Sequence, residues 1–262
     1  ILTISGTASL SEYETALQSI TYHSTSIDPT ITSDDRTINW TVTDANSDGA
    51  GAEISIAVTS TINIIPLNDA PVMSAGSTLT YSENEAATVI DNNLTITDDD
   101  DIEIDSAKVI ISSGFTVGDT LIISDQETLS SSIISDSILT ISGTASLSEY
   151  ETALQSITYH STSEDPTITS DDRTISWTVT DANSDGAGSG TSSNVTSTIT
   201  ITPINDTPVM SAGSTLTYSE NESATVIDNN LTITDDDDVE IDGGIVSIST
   251  GFTTGDILEF TT

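Results

Sequence analysis

The stretch RTINWTVTD, from Arg36 to Asp44, decides the fold because its apolar and polar side chains alternate. Ile38, Trp40 and Val42 face one way along an extended chain, which is the period of two of a half-buried strand. The same alternation recurs at Leu94/Ile96, Ala107/Val109/Ile111, Leu139/Ile141 and Ile199/Ile201. Short strands of this kind, broken by Asp, Gly, Asn and Ser, predict an all-β fold, an antiparallel β-sandwich with about seven or eight strands per unit.

The stretch belongs to a repeat of 137 residues, in which Ile1 aligns with Ile138. Over the first 52 aligned positions the two copies differ only at Ile27/Glu164, Asn39/Ser176 and Ala52/Ser189. A unit of this length is too long for a solenoid repeat and has the size of an independent domain. The repeats are therefore expected to be tandem sandwich domains.

Proline-flanked Asn-Asp pairs mark the domain boundaries, in IPLNDAP (Ile65–Pro71) and TPINDTP (Thr202–Pro208). Proline on both sides of each pair interrupts ladder hydrogen bonding and favours an extended connection. We predict the C-terminal half of one domain at 1–69, a complete domain at 70–206 and the N-terminal half of a third at 207–262. The halves either belong to a longer tandem array or pair with halves of neighbouring chains in a polymer.

One short helix is predicted in each repeat, within LSEYETALQSI (Leu147–Ile157). Ser148 can cap it, and Glu151, three residues on, can accept a hydrogen bond from the backbone N–H of the cap. Tyr150, Leu154 and Ile157 share one helical face. We expect this face to pack on the sandwich and close it.

The charge of the chain excludes several classes of partner. Against 42 acidic residues it has only Arg36, Lys108 and Arg173, which gives a formal net charge of −39. A nucleic-acid-binding protein needs a basic surface, and an anionic membrane would repel this chain. No apolar run reaches the roughly 18 residues that predict membrane insertion. Since 35% of the residues are hydrophobic, the chain is nevertheless expected to fold.

Catalytic constellations are missing from the sequence. It has no cysteine, and its two histidines, His23 and His160, are the same position in two repeats. No Ser–His or Cys–His arrangement is therefore available within one domain. Trp40 and Trp177 alternate in phase with aliphatic residues and are predicted to lie in the core. The sequence predicts neither an enzyme nor a binder of an organic cofactor.

Oxygen-bearing side chains, by contrast, recur in each repeat near predicted strand ends. The groups are Asp98–Asp101 and Asp235–Asp238; Glu83/Glu85 and Glu220/Glu222; Asn68/Asp69 and Asn205/Asp206; and Asp44/Asn46/Asp48 and Asp181/Asn183/Asp185. Ca²⁺ takes about six to eight oxygen ligands of this kind and tolerates irregular arrangements. The pattern favours calcium over the alternative, a solvated acidic loop that only aids solubility.

The segment DANSDG also matches the first half of an EF-hand loop. The twelfth position of the loop is Ser55 or Ser192 where an EF-hand has glutamate. A tight hairpin turn explains the segment equally well.

Four motifs in this order, PINDTPV, YSENE, LTITDDDD and DDRTISWTVTDANSDG, resemble the cadherin-like repeats of large bacterial surface adhesins of the RTX type. The resemblance covers the whole chain and implies Ig-like or cadherin-like sandwiches. In such modules an early glutamate, an Asp-Arg pair and an Asn-Asp linker meet an Asp-x-Asp of the next domain and hold calcium there. Arg36 and Arg173 are followed by threonine where cadherins have glutamate.

The resemblance implies ligands at two junctions. The first junction would use Asp34, Asp35, Asn68 and Asp69, met by Asp98, Asp100 and Asp181. The second would use Glu83, Asp171, Asp172, Asn205 and Asp206, met by Asp235 and Asp237.

Together these features predict a calcium-rigidified structural spacer of an extracellular adhesin or fibre on a bacterial surface. Near-identity between repeats suits a spacer that adds length, and the partners of each repeat are then the adjacent repeats of the same chain. One alternative is a sandwich that binds a carbohydrate or a protein. Another is a subunit that polymerises with identical chains, adding strands at Thr- and Ile-rich edges such as Ser197–Pro203.

Overall fold

The computed structural model describes residues 1–124, 129–184 and 186–260. Its elements in chain order are α1 (Leu10–Gln18), β1 (Asp35–Trp40), β2 (Val58–Asn63), β3 (Val72–Ser74), β4 (Thr78–Ser82), β5 (Thr88–Val89), β6 (Thr95–Thr97), β7 (Glu103–Ser113), β8 (Asp119–Ile122), β9 (Ser130–Ser135), β10 (Ile138–Ser146), α2 (Leu147–Gln155), β11 (Thr158–Ser161), β12 (Asp172–Asp181), β13 (Val195–Thr202), β14 (Val209–Ser211) and β15 (Thr232–Thr234). The all-β prediction is confirmed, as is one short helix per repeat.

Strands β3 to β13 form the sheets of the central region. A six-stranded sheet has the order β4-β13-β12-β7-β10-β9, a three-stranded sheet the order β5-β11-β8, and β3 pairs with β6. The region has more strands than predicted because β3, β5 and β6 are only two or three residues long. Such segments carry too few residues for an alternating pattern to be recognised in the sequence.

A single hydrophobic core joins these sheets, and all of its buried residues lie between Met73 and Ile201. Every second side chain of β12 is buried, as the alternation predicted, and Trp177 is fully buried there. The rings of Tyr81 on β4 and Tyr159 on β11 meet edge to face with centroids 4.9 Å apart. Because β4 and β11 belong to different sheets, this contact closes the sandwich across its core.

Helix α2 packs its apolar face on the core, with Tyr150 and Leu154 buried as predicted. The predicted cap is wrong, however. Ser146 caps the helix in a capping box with Glu149, two residues earlier than expected. Glu151 instead accepts a hydrogen bond from the N–H of Ile96 at 2.7 Å and ties the helix to β6.

Strand β13 lies inside the six-stranded sheet, between β12 and β4. Its pairing with β4 is parallel, from Thr198↔Thr78 to Thr202↔Ser82, whereas the other described strand pairs are antiparallel. The expectation that Ser197–Pro203 provides a free edge is therefore wrong. The outer strands of this sheet are β4 and β9.

The segments before and after the central region repeat parts of its sequence, but their apolar faces are exposed to solvent. Trp40, predicted to lie in the core, is only half-buried on the two-stranded β1-β2 sheet. Tyr218, the counterpart of Tyr81, is 53% exposed. Each flank contains only some of the strands that surround these side chains in the central region. In the described residues, no helix has the length and apolar composition required to span a bilayer.

Candidate metal centre

Two clusters of oxygen-bearing side chains lie at opposite ends of the central sandwich. We call the first junction the set Asn68, Asp69, Asp98, Asp100, Asp101 and Asp181. We call the second junction the set Glu83, Glu164, Asn205, Asp206, Asp235, Asp237 and Asp238. Each contains one Asn-Asp linker and one four-aspartate run.

At the first junction the linker contacts the central sandwich that follows it. The backbone N–H of Asp69 donates to the Asp100 carboxylate at 2.8 Å, and the Asn68 amide donates to the Asp181 carboxylate at 3.3 Å. A side chain at Gly190 would clash with Asn68 and Ala70, because an added Cβ would lie 2.9 Å from each. The linker therefore lies tightly against the end of β12 and the loop after it.

The aspartate run owes its shape to hydrogen bonds within itself. It begins where β6 ends, and the Asp98 carboxylate accepts from the N–H groups of Asp100 and Asp101 at 3.2 and 3.0 Å. This local turn directs the side chains of Asp98, Asp100 and Asp101 together, with one oxygen of each within 4.8 Å of the others. Asp101 also accepts from the backbone N–H and hydroxyl of Ser184.

Several oxygens of the first junction are buried and have no hydrogen-bond partner, namely Asn68 Oδ1, Asp98 Oδ2 and Asp100 Oδ1. Burial and the neighbouring Asp100 carboxyl raise the pKa of Asp98 to about 6, although two backbone N–H groups act in the opposite direction. Unpartnered buried carboxylate oxygens are costly in a protein interior. A hard cation such as Ca²⁺ satisfies such oxygens, so the donor set fits the ion that the sequence predicts.

The second junction repeats the same linker geometry. The N–H of Asp206 donates to the Asp237 carboxylate at 3.1 Å, and Asp235 accepts from the N–H groups of Asp237 and Asp238. The neighbouring Asp235 carboxyl raises the pKa of Asp237. Asp206 Oδ2 and Asp237 Oδ1 are buried without a hydrogen-bond partner. This junction therefore offers the same kind of oxygen donors as the first.

Two glutamates of the central sandwich complete the second junction. Oxygens of Glu83, Glu164 and Asp206 lie within 4.8 Å of one another. Glu83 is 3% exposed; its Oε2 accepts from the N–H of Ile204 at 2.7 Å, and its Oε1 has no partner. Burial raises the pKa of Glu83, and repulsion from Asp206, Glu164 and Asp237 adds to this effect, whereas the Ile204 N–H opposes it.

The Asp-Arg motifs lie outside the acidic groups found in the described residues. Asp35 accepts from the Asn63 amide and Asp172 from the Thr200 hydroxyl, so both carboxylates serve strand pairs. Asp34 and Asp171 precede these strands, and their carbonyl oxygens accept from Ile64 and Ile201. Asn205 is a member of the second junction, and its side-chain amide donates to the Asp206 carbonyl oxygen. Calcium ligation by any of the predicted residues remains a prediction.

Arg173 of the second motif has a structural role. It is fully buried and forms an ion pair with Asp119 at 2.7 Å, the one ion pair within the described ranges. Its guanidinium also donates to the carbonyl oxygens of Pro166 and Ser170, and so holds the loop before β12. In the part of the chain that the structure describes, Asp98, Asp100, Asp206 and Asp237 consequently form no ion pair with lysine or arginine.

The first DANSDG segment forms a hairpin loop closed by the bridge Thr43↔Ile54, and the bridge Thr180↔Thr191 joins the chain on either side of the second. In the first copy, Asp44, Asn46 and Asp48 accept hydrogen bonds from backbone N–H groups of their own loop. This satisfaction by the backbone favours the hairpin interpretation over an EF-hand. Asp185 lies outside the described residues.

The predicted ligand set omitted three residues that the junctions contain, Asp101, Asp238 and Glu164. The two aspartates end the runs that were already recognised. Glu164 lies in an irregular loop and has no motif around it. The sequence signal that could have identified it is the difference between Ile27 and Glu164 in otherwise matching repeats.

Two solved cadherin structures are similar to part of the chain. Extracellular cadherin domains 3-6 of protocadherin gamma B2 match 68% of this chain and 35% of their own length, with a TM-score of 0.35 and 15% identity. Domains EC1-2 of human mucin-like protocadherin match 58% of this chain and 66% of their own length, with a TM-score of 0.24 and 14% identity. No protein-family model matches the chain, and the curated proteins contain no match.

Proposed function

We propose that the chain is a structural spacer of an extracellular adhesin or fibre on a bacterial surface, stiffened by Ca²⁺ at the junctions between sandwich domains. In this proposal residues 70–206 form a complete domain, and 1–69 and 207–262 are halves of its neighbours. The partners of each domain are the adjacent repeats of the same chain. The motifs that resemble RTX-type adhesin repeats support the extracellular setting.

The buried, unpartnered oxygens at both junctions are the observation that carries the proposal. Asp100 Oδ1 and Asp237 Oδ1 are equivalent atoms of two repeats, and both are orphaned. One unpartnered oxygen is compatible with a local irregularity. Its recurrence at an offset of 137 residues supports a role for the oxygen as a metal ligand. With three lysine and arginine residues against 42 acidic ones, the protein has few positive side chains that could neutralise these oxygens.

Bound calcium would neutralise the repulsion between the junction carboxylates and link the neighbouring domains through them. Asn68, Asp98 and Asp100 would hold ions at the first junction, and Glu83, Asp206 and Asp237 would hold ions at the second. An ion that binds only the docked, folded state stabilises it by RT ln(1 + [L]/Kd). At tenfold excess over Kd each site contributes about 1.4 kcal/mol. Such sites would restrict the angle between neighbouring domains.

Calcium removal tests the proposal on the whole chain. We expect EGTA to lower the melting temperature by several degrees per site, and millimolar Ca²⁺ to restore it, as followed by circular dichroism. Isothermal titration with Ca²⁺ should show binding in the range of about 10⁻⁴–10⁻³ M that is typical of extracellular modules. Coincident melting curves with and without chelator would remove calcium from the proposal.

A double variant, Asp235→Ala with Asp237→Ala, tests the junction itself. It should widen the particle-length distribution in small-angle scattering at millimolar Ca²⁺, while the central sandwich melts as before. The matched control, Glu240→Ala with Asp242→Ala, removes the same charge from exposed positions nearby. Equal scattering profiles for the two double variants would contradict the assignment of the run to a rigid junction.

A further inference from the structure

Glu164 is one of three residues by which the second copy of the repeat departs from the first, over 52 aligned positions. The other two differences, Asn39/Ser176 and Ala52/Ser189, exchange small or polar residues. The exchange of Ile27 for Glu164 introduces a negative charge into a chain that already carries 42 acidic residues. Its surroundings show what this additional charge can do.

Glu164 lies on the solvent side of a partly enclosed group of carboxylates. Its side chain is exposed, Asp206 is half-buried and Glu83 is 3% exposed, yet all three offer oxygens within 4.8 Å of one another. The buried Glu83 keeps Oε1 unpartnered even though its Oε2 is bonded to the N–H of Ile204. A cation placed among these oxygens would therefore be contacted from the interior by Glu83 and from outside by Glu164.

The loop that carries Glu164 is fixed in the same way in both repeats. Arg173 donates to the carbonyl oxygens of Pro166 and Ser170, and Arg36 donates to the equivalent oxygens of Pro29 and Ser33. The backbone of the loop is therefore held independently of the residue at position 27 or 164. Glutamate and isoleucine are alternative side chains on one common scaffold, and Ile27 is 66% exposed.

We propose that Glu164 is a repeat-specific ligand for a divalent cation that Glu83 and Asp206 also bind, and that the residue at this position sets the cation affinity of each junction. The proposal rests on the proposed function, since it concerns the calcium of the second junction. A repeat with glutamate supplies three carboxylates to this ion, whereas a repeat with isoleucine supplies two. Calcium affinity follows the charge and number of the ligands, so junctions of the two kinds differ in affinity.

The variants Glu164→Ile and Glu164→Gln test this assignment in the full chain. Glu164→Ile installs the residue of the first repeat, and Glu164→Gln keeps the shape while removing the charge. Isothermal titration with Ca²⁺ alone should show one class of site weakened on the order of tenfold in both variants, with the remaining classes unchanged. Asp105→Asn, an exposed site outside the acidic groups, is the control for the change in net charge.

A double-mutant cycle with Glu83→Gln shows whether the two glutamates bind the same ion. Ligands of one ion are coupled, so the loss in the double variant should differ from the sum of the two single losses. Because Glu164 is exposed, its variants are expected to fold, and their circular dichroism should match that of the wild type. If the wild type binds calcium and both Glu164 variants bind it with wild-type affinity, the ligand assignment is overturned. A wild type that binds no calcium overturns this assignment and the proposed function together.

Discussion

The first and second junctions contain the same linker and the same aspartate run, but they are completed from opposite sides. At the first, Asn68 and Asp69 lie against Asp100 and Asp181 of the central sandwich that follows them. At the second, Asp206 meets Glu83 and Glu164 of the central sandwich that precedes it. Because the repeats are equivalent, a complete junction would have the contacts of the first junction on one side of the linker and those of the second on the other.

The difference teaches that identical motifs acquire their properties from what lies across from them. Asp98 and Asp235 are equivalent residues in identical runs, yet the pKa of Asp98 is raised, mainly by burial, and the pKa of Asp235 is lowered, mainly by the N–H of Asp238. Paired substitutions at equivalent positions therefore separate the contribution of the motif from that of its environment.

The largest difference is expected between Arg173→Met and Arg36→Met. The first variant leaves Asp119 buried without its counter-ion, which typically costs about 3–5 kcal/mol. Arg36 is half-buried and donates only to backbone carbonyl oxygens, so its loss should cost less than about 1 kcal/mol. Urea unfolding at constant Ca²⁺ measures both. Equal costs would mean that the second copy is no better packed than the first.

A smaller difference is expected between Asp91→Asn and Asp228→Asn. Burial acts to raise the pKa of Asp91, but hydrogen bonds from Ser77, Ser197 and Gly76 outweigh it and lower the pKa to about 2. Asp228 accepts the equivalent bonds from Gly213 and Ser214 but is only half-buried. At pH 7, Asp91→Asn should cost about 2 kcal/mol and Asp228→Asn much less.

The stability cost of Asp91→Asn should depend on pH in a direction that follows from the lowered pKa of Asp91. A carboxylate whose pKa is lowered on folding contributes stability above its unfolded pKa of about 3.9, and loses it as the pH falls through the folded value. The cost of Asp91→Asn should therefore be constant at neutral pH and shrink between about pH 4 and pH 2. A cost that stays the same down to pH 2 would show that the charge of Asp91 is not what stabilises the fold.

The smallest effect, below about 1 kcal/mol, is expected for Asp98→Asn, but its sign should depend on calcium. In EGTA the variant removes a carboxylate that burial disfavours, so the protein should become slightly more stable at pH 7. The gain should fade as the pH drops from 6 to 4, where Asp98 becomes protonated in the folded state. In Ca²⁺ the same variant loses a ligand and should be less stable. Melting curves in both buffers, with Asp235→Asn for comparison, measure the reversal; the same sign in both buffers would contradict it.

The sequence predicted those features that repeat or alternate. The alternating pattern of β12 located Trp177 in the core. This feature depends on local spacing, which a sequence displays directly. The proximity of Asp69 to the aspartate run was instead implied by the resemblance to cadherin-like repeats.

Features that depend on contacts between distant segments were not predictable in this way. Ser148 and Ser146 both precede a glutamate by three residues, so spacing alone does not distinguish them, and the start of α2 is decided by the end of β10. The parallel alignment of β4 with β13 joins residues more than 100 positions apart. Glu164 reaches Glu83 only through the folded loop that Arg173 holds.

The parallel β4–β13 pair determines how the sandwich carries tension. The chain enters the central sandwich beside Asp181 at one end and leaves it beside Glu83 at the other. A pull on these two ends therefore drags β4 and β13 in opposite directions along their common length, from Thr78 to Ser82 against Thr198 to Thr202. The hydrogen bonds between these strands are sheared together and do not open one after another like a zipper, which is the mechanically stronger of the two loading geometries.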